Sequence, residues 1–122
     1  MTKIVLAVNA MVSNSGRITE VRKDPVTYDD YYFTYDAKYC WEVKRTPAGH
    51  YRIWYFPGQL DTEELQDLAK WKTATKVRYS TEDLRTREAR ETFAELFRCV
   101  VEKFYGVEKH LDDIIQDGYP SH

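Results

Sequence analysis

Between Tyr31 and Gly58 the chain reads YYFTYDAKYCWEVKRTPAGHYRIWYFPG, and this stretch constrains the fold more than any other. Apolar and polar residues alternate along it almost without a break, the two-residue period of a strand in a sheet. Thr46-Pro47-Ala48-Gly49 interrupts the alternation with the residues of a type I turn. Pro47 sits at its second position, and Gly49 falls where a left-handed backbone closes the hairpin as a G1 bulge. That turn sets the register: Arg45 faces Tyr51, Val43 faces Ile53 and Trp41 faces Tyr55. The odd positions, including Tyr31, Phe33, Trp41, Val43, Ile53 and Tyr55, then share one side, which is the expected core. The even positions carry Asp36, Lys38, Glu42, Lys44 and Arg52 and read as a solvent face, interrupted by Tyr32, Cys40, Trp54 and Phe56. The run from Tyr31 to Arg45 is long for one strand, so a bulge is expected near Asp36-Ala37-Lys38.

The remainder organises around this hairpin. Ile4 to Val12 is apolar and β-branched and reads as a strand covered on both sides rather than as a signal peptide. Ser13 to Gly16 is a turn, and Arg17 to Arg22 a second, more exposed strand. Pro57-Gly58 ends the hairpin. Asp61 with Glu64 makes a capping box, and Leu60 with Leu65 a hydrophobic staple, so a helix is expected over 62–72. Lys76 to Tyr79 is a short strand or an extended link. Ser80 or Thr81 caps a long helix whose apolar stripe is Phe93, Leu96, Phe97, Val100, Val101 and Phe104, ending at Gly106. Leu111, Ile114 and Ile115 form a second, shorter stripe before Gly118 and Pro120. The expected fold is α+β: an N-terminal antiparallel sheet of about four strands, with the aromatic hairpin 31–57, packed against two or three C-terminal helices. A single domain is expected over 1–122, β-rich over 1–58 and helical over 59–118.

Composition narrows the function classes. With 122 residues, 43% hydrophobic and 31% charged, the chain can bury a core of its own, and a net charge of −2 supplies no global attraction for nucleic acid or anionic lipid. No apolar run approaches a membrane span. Cys40 and Cys99, without a secretion signal, suit reduced thiols in the cytoplasm, and no CxxC, HExxH or Cys/His cluster suggests structural zinc. No cofactor is expected.

Three chemical readings deserve residues. Cys40 and His50 would need to touch to act as a thiol–imidazole pair. Cys40 faces Phe56 in the hairpin, about 20 Å from His50 at strand rise, so they do not. Glu42-Val43-Lys44, preceded by Asp29, Asp30 and Asp36, resembles the acidic and lysine pattern of metal-dependent nucleases of the restriction-enzyme type. That resemblance implies Asp and Glu holding Mg²⁺ while Lys helps activate water. The family has a helix-first layout, whereas this chain reads as strand-first, and a solvent-facing strand produces charged i, i+2 pairs by default. Tyr32, Arg52, Trp54 and Phe56, with Lys44, form the expected binding surface on the even face. The cluster Lys70, Lys72, Lys76, Arg78, Arg85, Arg87 and Arg90 is interleaved with acids and reads as a solvated face.

The favoured expectation is a small soluble non-catalytic binding or accessory module that engages another protein or a second copy of itself, with no membrane. A single-stranded nucleic-acid module using the hairpin's aromatic and basic residues is the alternative. A Mg²⁺-dependent nuclease is the remote one.

Overall fold

A computed structural model of the chain describes residues 2–58 and 60–118. Five antiparallel strands form one sheet in the order β1-β2-β3-β4-β5: β1 (Ile18–Lys23), β2 (Asp30–Tyr35), β3 (Tyr39–Arg45), β4 (Tyr51–Phe56) and β5 (Val77–Ser80). The helices are α1 (Lys3–Ser13), α2 (Thr62–Leu65), α3 (Leu68–Thr73), α4 (Thr81–Leu84), α5 (Arg87–Tyr105) and α6 (Val107–Gly118). The α+β expectation holds, with a sheet packed against C-terminal helices. The short strand at Val77 joins the sheet beside β4.

The hairpin closes as its turn residues require. Gly49 has φ +85°, its amide donates to Thr46 O at 2.9 Å, and the Thr46 amide donates to His50 O at 2.8 Å. Arg45 pairs with Tyr51, Val43 with Ile53 and Trp41 with Tyr55, as expected. The long run before it behaves differently. Asp36 and Ala37 both take positive φ, +56° and +55°, so the anticipated bulge is instead a tight turn that splits the run into β2 and β3. Because Tyr35 pairs with Tyr39, the odd positions stay on one side through the turn.

The first apolar segment is a helix, not a strand. Its buried residues are Ile4, Val5, Val8 and Met11, the three- and four-residue spacing of a helical stripe, while Leu6 is exposed. Ala7 and Ala10 favour the helix, and Asn14 donates its amide to Ala10 O at 2.8 Å to close the end. Tertiary packing overrides the β-branched content: α1 lies against α5, and its buried side chains join those of α5 and the odd face in one cluster.

That face is the main core. Tyr31, Phe33, Val43 and Ile53 from the sheet meet Val8, Phe93, Leu96 and Val100 from the helices, all buried. Each such side chain contributes roughly 1.5–3 kcal/mol by leaving water. Thr86 caps α5 by accepting from the Ala89 amide, and Gly106, at φ +63°, ends it. The long helix expected from Ser80 is therefore two: Ser80 caps α4 alone, and Arg85 at φ +52° turns the chain before α5 begins. Cys99 is half-buried beside the Ser15–Gly16 connection and packs against the core.

The even face is covered too, which reverses its reading as a solvent face. The capping box at Asp61 and Glu64 forms as expected, with the Glu64 amide donating to Asp61 Oδ1 at 2.8 Å. The helix it starts stops after Leu65. Asp67 then caps a second short helix by accepting from the Ala69 amide. Together α2 and α3 lay Leu65 and Trp71 over Tyr32, Cys40, Trp54 and Phe56 as a second apolar cluster, with Leu60 against it. The expected stop at Pro120 lies outside the described residues.

Candidate functional site: a carboxyl pair under the aromatic roof

Two adjacent rows of the even face build the site. One row runs Asp30–Lys44–Arg52–Ser80 across β2 to β5, and the next runs Tyr32–Glu42–Trp54–Arg78. Alternation puts all eight side chains on one side of the sheet. Over these rows α2 and α3 leave a cavity of about 390 Å³, within the usual range for a small-molecule pocket. Asp24, Asp30, Tyr32, Glu42, Lys44, Arg52, Trp54 and Trp71 line it, with Val26, Leu65 and Leu68 as apolar wall.

Its floor is acidic and buried. Glu42 is 2% exposed and Asp30 5%. Trp71 reaches down from α3 and donates its indole N–H to Glu42 Oε1 at 2.7 Å. Among the described residues no N–H or alcohol hydroxyl donates to the buried Asp30 Oδ1. Burial drives the Glu42 carboxyl up to about 10, and the hydrogen bond and charge of neighbouring Asp30 push the same way, against the Trp71 bond. Burial raises Asp30 as well, while its hydrogen bond with Glu42 draws it back. Two carboxyls so placed cannot both ionise, and the proton they share rests on Glu42.

The surrounding groups are mostly committed. Asp24 accepts from the Tyr32 hydroxyl at 2.9 Å and from the Thr27 and Val26 amides at 2.7 and 3.1 Å. Burial alone would raise Asp24; those hydrogen bonds outweigh it and hold the carboxyl below its ordinary value. Arg52 is paired with Glu82 at 3.0 Å. Lys44 has no ion pair among the described residues, although its charge is felt at Asp30. Trp54 and Trp71 meet edge to face at 6.2 Å, and Lys76 stacks on Trp71 at 4.2 Å.

Four of the five expected binding residues, Tyr32, Lys44, Arg52 and Trp54, come together here, but as a cavity lining rather than an exposed patch. Trp54 is 9% exposed, and Tyr32 and Phe56 are buried. Phe56 lies in the second apolar cluster, outside the cavity. An open protein-docking or base-stacking surface on the even face is thereby overturned, because α2 and α3 occupy it. The reasoning from sequence missed Trp71 and Asp24. The spacing of Leu60, Leu65 and Trp71, an apolar face facing the hairpin's even aromatics, was the available signal.

Three arguments against the nuclease resemblance change with the structure. Glu42 is buried, so the Glu42–Lys44 pair is not a default of a wet strand. Asp36-Ala37-Lys38, with the same charged i, i+2 spacing, is a turn and not part of a strand. A helix does precede the strands. Among the described residues, no group of three or more His, Cys, Asp or Glu side chains is placed to hold a metal ion.

Cys40 is buried opposite Phe56, and burial pushes its thiol up to about 12, far from nucleophilic character. No helix of the described residues is long and apolar enough to cross a membrane. No family model, no curated protein and no solved structure matches this chain.

Proposed function

We propose that the protein is a non-catalytic binding module whose working site is the cavity under α2 and α3, and that its ligand is a small organic cation. One observation carries the reading: Asp30 and Glu42 are buried side by side, hydrogen-bonded to each other, with no cation in ion-pair reach among the described residues. A buried carboxyl pair destabilises the fold unless it is protonated or met by positive charge. An ammonium or guanidinium group entering the cavity would displace the shared proton and supply the missing donors. Trp54, Trp71 and Tyr32 offer the aromatic faces that such cations favour, and Leu65, Leu68 and Val26 suit an alkyl stem. Free thiols at Cys40 and Cys99 fit a reducing, cytoplasmic setting.

Agmatine, which carries both an amine and a guanidinium, is a direct probe. Calorimetric titration is expected to show saturable binding that strengthens from pH 6 to pH 8.5, as the displaced proton becomes easier to lose. Glu42→Gln is expected to abolish that pH dependence and weaken binding at least about tenfold, the loss of one buried charge-assisted contact. Absence of binding to agmatine and to simple amines at either pH would remove the proposal.

A second reading is Mg²⁺-dependent phosphodiester hydrolysis, favoured by Asp30 standing opposite Lys44 with Glu42 two residues earlier, in one cavity behind an N-terminal helix. It ranks lower because Trp71 sits on Glu42, so a nucleic-acid strand would first have to lift α3. Mg²⁺-dependent cleavage of DNA or RNA that vanishes in both Glu42→Gln and Lys44→Ala, with folding intact, would place this reading first.

A further inference from the structure

Independently of the cavity, α6 presents an unused face. This helix of 12 residues has no buried residue, and it packs against the end of α5. A helix this short is marginal by itself in water and needs packing to persist. Its apolar side chains Leu111, Ile114 and Ile115, in line with half-buried Val107, make one stripe, and Ile114 is 65% exposed. Phe104 and Tyr105, at the end of α5, extend apolar surface beside it.

The flanks of that stripe decide what covers it. At helical spacing Glu108 and Asp112 border one side, and His110 and Asp117 the other, with Asp113 behind them. Lys109 lies on the back. A second copy docked stripe to stripe would bring carboxylate flanks against carboxylate flanks, since a two-fold interface meets itself. Anionic lipid is disfavoured for the same reason; interfacial helices carry basic flanks instead. We infer that α6 is a docking helix for a different protein, one presenting an apolar groove rimmed by lysine or arginine.

The test uses the full chain and two synthetic helical peptides with the same leucine stripe, one flanked by lysines and one by glutamates. The lysine-flanked peptide is expected to bind saturably in fluorescence anisotropy, and the glutamate-flanked twin at least about tenfold more weakly. The double variant Leu111→Asp/Ile115→Asp, which adds negative charge but removes apolar contact, is expected to lose about tenfold or more in affinity. It should melt like the parent, because nothing in α6 is buried. Equal binding of the lysine-flanked peptide by parent and double variant would overturn the inference. So would a dimer in sedimentation, or binding to phosphatidylserine vesicles, that disappears in the double variant.

Discussion

The two faces of the sheet are built by the same strands and do different work. The odd face meets two substantial helices, α1 and α5, through side chains that are almost all aliphatic or phenyl, and it retains no ionisable group in its buried cluster beyond the Tyr31 phenol. The even face meets two helices of four and six residues, and beneath them lie two buried carboxyls and a cavity. Interiors normally satisfy their polar groups. One face therefore stabilises the fold, and the other keeps a destabilised arrangement of the kind that marks binding sites.

The sharpest way to break this contrast is to truncate each face in turn. Phe93→Ala on the odd face is expected to cost roughly 3–5 kcal/mol by leaving a cavity in a fully packed site. Trp71→Phe on the even face keeps the ring but removes the donor to Glu42, and about 1–3 kcal/mol is expected. Urea denaturation would compare them. If Trp71→Phe proved as damaging as Phe93→Ala, the even face would be core rather than site.

Acidity separates the faces without truncation. Glu42 has its proton bound up to about pH 10 in the folded state but releases it near 4.5 when unfolded. Between those values the folded Glu42 holds a proton that the unfolded chain has released, so its contribution to stability is fully present below about 4.5 and is lost as pH rises toward about 10. Glu42→Gln is expected to flatten that decline in thermal melts between pH 5 and pH 9 and to raise the melting temperature at pH 8.5. A steeper decline in the variant would contradict the assignment of the proton.

The smallest expected effect concerns the caps. Thr86→Ala, at the start of α5, and Asp61→Ala, at the start of α2, each remove a side chain that accepts from a helix amide, worth about 1 kcal/mol. The two should nevertheless differ in consequence. Loosening α2 is expected to increase hydrogen exchange at Trp71 and weaken agmatine binding, whereas Thr86→Ala should leave the cavity unchanged.

Much of this architecture was legible in the residues. The turn at Pro47–Gly49 and the alternation around it dictated the β3–β4 register, because a one-residue slip would have turned Val43 and Ile53 to the wrong side. The stripe from Phe93 to Val100 announced α5 equally well. Ile4 to Val12 misled because β-branched residues favour strands, while burial at Ile4, Val8 and Met11 depends on α5, which is distant in sequence. Glu42 misled for a related reason. Alternation assigns a face but says nothing of whether that face is roofed, and the roof comes from residues 62–73, broken by Asp67 into helices too short for a stripe to show.

The central claim is that Asp30 and Glu42 share a proton, and carboxyl-carbon NMR of the glutamate side chains across pH reads it directly. The account predicts that the Glu42 resonance stays protonated through pH 7, titrates far above the remaining glutamates, and shifts to the ionised position when agmatine is added at neutral pH. A Glu42 midpoint near 4.5, unmoved by the ligand, would contradict it.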